Sequence, residues 1–204
     1  MIPHIFREYD IRGIFPQELN EEAVYGLGRA FGTFFHENGA HSISLGRDCR
    51  LSSPHLAQWL SRGLLESGMT VVDVGVVPTP ILYFTLHHLP MDGGIQITGS
   101  HNPPEFNGFK ICLGHASVYG ERIQAIRKIA ESEKFRTARG TLQKTPVDEA
   151  YTQHMVQNIH PGPLPIKAVV DGGNGVAGPP AVDIYRRLGL EIHPLFCEPD
   201  RSEE

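Results

Sequence analysis

The chain has 204 residues, 40% of them hydrophobic and 20% charged, with a formal net charge of −5. That size fits one full α/β domain and part of a second, and the acidic balance argues against a broad nucleic-acid surface. Cys49, Cys112 and Cys197 are too few and too far apart for a disulfide framework or a zinc site. No apolar run is long enough to span a bilayer, and no signal-peptide h-region follows Met1, so a cytoplasmic protein with no membrane partner is expected.

Helical and strand-like segments alternate along the chain. Residues 20–38 carry Val24, Leu27, Phe31 and Phe35 on one stripe, with Gly39 as a stop. Residues 42–45 form a short strand running into Gly46-Arg47-Asp48. Ser53-Pro54 reads as a capping hydroxyl with proline in the first turn, and Leu56, Leu60 and Leu64 line the helix that follows as far as Gly68. A buried strand is expected at 69–74, a short helix at 81–88 and a strand at 93–98. Another strand is expected at 109–113 and a helix at 119–132. A polar, Thr-rich stretch, 137–145, follows with neither helix nor strand expected, and Pro146 marks a domain edge. A helix at 148–159, a stiff linker at 161–165, then strand, glycine turn, helix and strand through 196 complete the pattern. The expected fold is α/β in three layers, a mixed sheet between helices. Residues 1–146 form one domain; residues 147–204 start a second, similar one, since two strands and one helix bury little core.

Ser100 stands where the strand at 93–98 runs into a loop of turn formers: Gly99, Asn102, Pro103, Pro104, Asn107 and Gly108. Three readings compete for it. A serine hydrolase would need a base and an orienting acid, and Thr98 and Asn102 stand where the G-x-S-x-G elbow has glycines. A phosphoserine needs donors and cations, which His101 and Lys110 supply locally and Arg12 and Arg47 supply if strand ends converge. The plain reading is a surface turn. A rival site is Gly173-x-Gly175-x-x-Gly178 with Glu198 twenty residues on, which matches a dinucleotide fingerprint on paper but is crowded by Pro179-Pro180.

The segment Thr98-Gly99-Ser100-His101-Asn102-Pro103-Pro104, with Asn107-Gly108-Phe109-Lys110, resembles the phosphoserine loop of the α-D-phosphohexomutases, in particular the bacterial phosphomannomutase/phosphoglucomutase branch. Residues 6–13 (FREYDIRG), 46–52 (GRDCRLS) and 171–178 (DGGNGVAG) resemble three further segments of that family, in order. The resemblance implies an amino-terminal part of an enzyme that interconverts hexose 1-phosphate and 6-phosphate through a phosphoserine and a bisphosphorylated sugar. Ser100 would carry the phosphate, with Lys110 as acid or base, Arg12 beside it, His101 assisting proton transfer and Tyr9 touching substrate. Asn102, Arg47 and Asp48, with Arg50, would support the loop. The family's Mg²⁺ would meet the Ser100 phosphate, and a glucose 1,6-bisphosphate-type activator would charge it. The family's D-G-D-x-D-R metal loop is absent from these residues, so the chain alone is expected to be inactive, and its second unit is a candidate surface for association.

Overall fold

The computed structural model describes residues 2–162 and 165–200. After a short turn at Pro3–Ile5, strand β1 (Ile11–Ile14) leads to helix α1 (Glu21–Glu37). Asn20 caps α1 by accepting the Ala23 amide at 3.0 Å, and Gly39, at φ +75°, turns the chain out of it. Then follow β2 (Ser42–Arg47), α2 (Ser53–Glu66), β3 (Thr70–Val76), α3 (Thr79–His88), β4 (Gly93–Ile97) and β5 (Phe106–Leu113). The first unit closes with β6 (Ala116–Ser117), α4 (Glu121–Ser132) and β7 (Thr141–Lys144). Helix α5 (Asp148–Asn158) leads to β8 (Lys167–Asp171), α6 (Gly178–Arg187) and β9 (Glu191–Leu195).

Seven strands make one mixed sheet in the order β1-β5-β4-β2-β3-β7, with β6 beside β5. The three successive pairings β4–β2, β2–β3 and β3–β7 are parallel; β5 runs antiparallel to both β4 and β1. Alternation along β3 sends Val71 to one side and Val72 to the other, so the sheet has two cores. The larger one packs Leu27, Phe31 and Phe35 of α1, Leu56, Leu60 and Leu64 of α2, and Ile123 and Ile126 of α4 over Ile43, Ile95 and Phe109. The smaller one joins Val72, Val74 and Val77 to Ile81, Leu82 and Val147. Helices α1 and α2 cross closely because Gly28 and Gly63 face each other's backbone, where a Cβ would collide with main-chain atoms.

Four local expectations change. The segment 6–13, whose resemblance is to a loop of the family, runs into β1, which pairs with β5. The Thr-rich stretch supplies β7, a parallel edge strand on β3, so backbone bonding outweighs its polar surface. Strand β5 begins at Phe106 rather than 109. Ser53 does not cap α2: the cap position is Ser52, without a side-chain bond to the helix, and Ser53 Oγ donates to Asp48 instead.

Beyond α5, strands β8 and β9 pair in parallel as a separate two-stranded sheet under α6. Helix α5 touches both units: Tyr151 and His154 pack on Phe84 of α3, and Glu149 accepts two hydrogen bonds from Arg187 of α6. Residues 163 and 164 of the expected linker lie outside the described residues.

Candidate active site

The parallel strands β2, β3 and β4 end on one edge of the sheet, and the serine loop leaves from the end of β4 there. Ser100 is exposed and sits at φ +57°, the left-handed region that non-glycine residues rarely occupy. Its amide donates to Thr98 Oγ1 at 2.9 Å, which helps to hold that conformation and points the hydroxyl outward. His101 is also exposed, with Nδ1 3.4 Å from Ser100 Oγ. Among the described residues no carboxylate bonds to His101, so the base-orienting acid of a hydrolase triad is missing there.

The loop is held from beneath by Arg50, whose guanidinium is buried. It donates to the carbonyls of Pro103 at 2.8 Å, Phe106 at 3.1 Å, Asn102 at 2.7 Å and Ser100 at 3.3 Å. Few residues other than arginine present enough planar donors for this. Gly99 leaves room for it: a Cβ at that position would lie 2.5 Å from Arg50 Cζ. Asp48 balances the charge. Its carboxylate meets Arg50 Nε at 3.4 Å and accepts the amides of Gly99 at 3.1 Å and Arg50 at 3.2 Å, as well as Ser53 Oγ–H. Asn107 donates to Ser52 Oγ and Ser53 Oγ at 2.8 and 2.9 Å, tying the far end of the loop to the start of α2.

Arg12, on β1, reaches the same loop by donating to Asn102 Oδ1. Its other amino group donates to Asp10 Oδ2 at 2.6 Å, and Lys110 Nζ lies 3.7 Å from that same oxygen. Thus Lys110, Asp10, Arg12 and Asn102 form one polar line from β5 to the serine loop. The β1–β5 register pairs Ile11 with Phe109; one more step sets Asp10 opposite Lys110. Gly108 allows this approach, because any Cβ there would strike the Ile11 carbonyl.

Two expected site residues stand apart. Arg47 does not brace the loop: its guanidinium donates to Asp73 Oδ1 at 2.8 Å, on β3, which lies across β2 from β4. Side chains alternate along a strand, so Arg47 and its neighbour Asp48 leave β2 in different directions. Tyr9 is 73% exposed, and its ring centroid lies 6.4 Å from that of Tyr119. Sequence reasoning missed Tyr119, Thr98 and the bridging place of Asp10. For Asp10 a signal existed, since Asp10 and Arg12 are two apart at the start of a strand and so share a face.

The glycine turn after β8 uses its amides internally. Gly173 N–H donates to Asp171 Oδ1, Asn174 N–H to the Phe196 carbonyl and Gly175 N–H to the Gly172 carbonyl. A Cβ on Gly178 would lie 2.5 Å from the Cys197 carbonyl oxygen, so that glycine serves the packing of α6 against the chain just after β9. Among the described residues no group of three His, Cys, Asp or Glu side chains could hold a metal ion, so the residues here do not fit a complete Mg²⁺ site.

Residues 3–137 match the family described as phosphoglucomutase/phosphomannomutase, alpha/beta/alpha domain I. Over 96% of its length the chain is 43% identical to a phosphoglucomutase of Neisseria gonorrhoeae and 41% identical to a phosphomannomutase/phosphoglucomutase of Pseudomonas aeruginosa. It covers 43% and 42% of those proteins, respectively. A crystal structure of a phosphoglucomutase/phosphomannomutase family protein from Burkholderia thailandensis superposes with a TM-score of 0.93 at 40% identity, over 98% of this chain and 46% of that one. The chain therefore spans under half the length of these relatives, and it belongs to the phosphoglucomutase/phosphomannomutase family through its serine-loop domain.

Proposed function

We propose that this chain is the phosphoryl-carrying part of a phosphohexomutase that interconverts hexose 1-phosphates and 6-phosphates of glucose and mannose. The observation that supports it best is the serine loop: an outward hydroxyl on a backbone fixed from below by Arg50 and Asp48. In this reading phosphoserine 100 gives its phosphoryl group to the free hydroxyl of a hexose monophosphate, and the P–O bond to Ser100 Oγ breaks as the new one forms. The bisphosphorylated sugar turns over and returns its other phosphoryl group to Ser100 Oγ. Lys110 exchanges the proton of the attacking hydroxyl, and Arg12 and His101 set charge and donors beside the phosphate. Tyr9 touches the substrate.

Magnesium belongs to this proposal only through the phosphate on Ser100, and no step above runs through it. Loading would come from a glucose 1,6-bisphosphate-type activator. We assign the serine chemistry to residues 1–146, and residues 147–204 to the start of a second unit, with α5 as the connector. A cytoplasmic place is part of the same reading; among the described residues no helix is long and apolar enough to cross a membrane.

The test is intact-mass analysis after incubation with glucose 1,6-bisphosphate. One phosphate is expected on the wild-type chain and none on Ser100→Ala. A phosphate that persists in Ser100→Ala would defeat the assignment; with few charge-stabilising groups in this chain, uptake by the wild type is expected to be slow. The chain by itself is expected to show no sugar-phosphate interconversion, because the groups that would stabilise the transferring charge are too few here.

A further inference from the structure

We propose that Tyr119 is a further substrate-binding residue, and that with Tyr9 it forms an aromatic platform for the pyranose ring of a hexose phosphate beside Lys110. The identity of the sugar rests on the phosphohexomutase reading; the geometry rests on residues of the serine-loop unit alone.

Two segments meet Lys110 from opposite ends. Along one edge of β5, β1 pairs with residues 106–109 and β6 pairs with Cys112 and Leu113. The Val118 N–H donates to the Ile111 carbonyl at 2.8 Å, so the β6 ladder runs on past Ser117. Extending that register sets Tyr119 level with Lys110, where the β1 register sets Asp10. Alternation fixes the side. Ile11, Phe109, Ile111 and Val118 are all buried in the larger core. Their neighbours Asp10, Lys110 and Tyr119 therefore turn to the opposite face of the sheet. The Gly120 N–H donates to the Glu8 carbonyl at 2.7 Å, which ties the two converging segments together. Gly120 takes φ +56° at that turn. The two backbones thus hold ring beside ring: the Tyr9 and Tyr119 centroids are 6.4 Å apart, with the planes tilted by 37°.

The chemistry of this row matches a sugar phosphate. A tilted pair of rings offers apolar surface to the C–H face of a pyranose, and each phenol can exchange hydrogen bonds with the sugar hydroxyls. Lys110 and Arg12, both bound to Asp10 on the same face, supply charge for the phosphate end. Aromatic rings with a few convergent polar groups are the usual make-up of a small-molecule site. Tyr119 belongs to neither core and is 60% exposed, so its ring does not hold the fold together.

The test is a titration of the isotope-labelled chain with glucose 1-phosphate to about 100 mM, a range that covers millimolar affinities, followed by side-chain NMR. Saturable signal changes are expected at Tyr9, Tyr119 and Lys110. Inorganic phosphate at equal ionic strength should move the Lys110 signals and leave both rings unmoved. Tyr119→Ala should raise the dissociation constant about threefold or more, and Tyr119→Phe, which keeps the ring, should stay within about twofold of wild type. A purely structural role would move the Ser100 and Asn102 amide signals in Tyr119→Ala; those should stay in place. Rings that ignore the sugar while Lys110 responds overturn the platform and leave the phosphoryl reading intact. So does a Tyr119→Ala chain of unchanged affinity. No response at any signal also overturns the platform, since both rings and Lys110 belong to this chain. A phosphate retained in Ser100→Ala, read by mass, defeats the phosphoryl reading without touching the sugar titration.

Discussion

The serine-loop unit and the β8–α6–β9 unit share a chain and an α/β pattern, yet they are held in different ways. The first closes a seven-stranded sheet between two cores, with Phe31, Phe35 and Phe109 fully buried. The second has two strands and one helix, and Val169, Leu195 and Phe196 remain exposed. In the first, a buried charge pair at Asp48 and Arg50 is tolerable because loop carbonyls, two backbone amides and the Ser53 hydroxyl bond to it. In the second, ion pairs sit at the surface, where water screens them. Precise placement of an exposed hydroxyl on a tight loop needs the first kind of support.

The largest test of that contrast is Arg50→Ala. It strands the Asp48 carboxylate and four loop carbonyls, and should lower unfolding free energy by about 3–5 kcal/mol. Urea unfolding followed by Trp59 fluorescence reads the first unit directly; a loss below about 1 kcal/mol would mean that the loop is held by something other than Arg50. Next is Gly63→Ala, which forces α1 and α2 apart and should cost about 1–3 kcal/mol in the same assay. An unchanged midpoint would show that the helix pair is less tightly packed than its glycines indicate.

The third test is pH. Burial, with Arg136 and His41 nearby, lowers the His36 imidazole below its ordinary 6.5. The amide of His41, then the hydroxyl and amide of Ser42, holds the Asp92 carboxyl below its ordinary 3.8, against some desolvation. Each group binds fewer protons folded than unfolded just below its ordinary value. Stability from each is complete above that value and is lost as pH falls through the folded one. Thermal melts should fall in two stages on acidification, first below 6.5 and then below 3.8. His36→Gln should remove the upper stage alone; if it persists, another group carries it. The smallest effect is expected in the second unit: Val169→Ala should shift stability by no more than about 0.5 kcal/mol. Hydrogen exchange should also find β8 and β9 less protected than β2 and β4. Equal protection would erase the contrast between the units.

Much of this was legible in the sequence, for identifiable reasons. The stripe Val24, Leu27, Phe31, Phe35 reports a helix face locally, and Ser100 is flagged by the turn formers around it. What the sequence hid depends on distant residues. Strand β1 is four residues with a glycine inside, and it exists because β5 lies beside it. Strand β7 is exposed throughout and forms because β3 offers an edge. Arg47 and Arg50 look alike in the string Arg47-Asp48-Cys49-Arg50; only the turn after β2 sends one to Asp73 and the other under the loop.

The bonds that set the loop's shape all lie between Asp10 and Lys110, within one sheet edge. The loop's shape is therefore a local property: a substitution outside residues 10–110 leaves every one of these bonds in place.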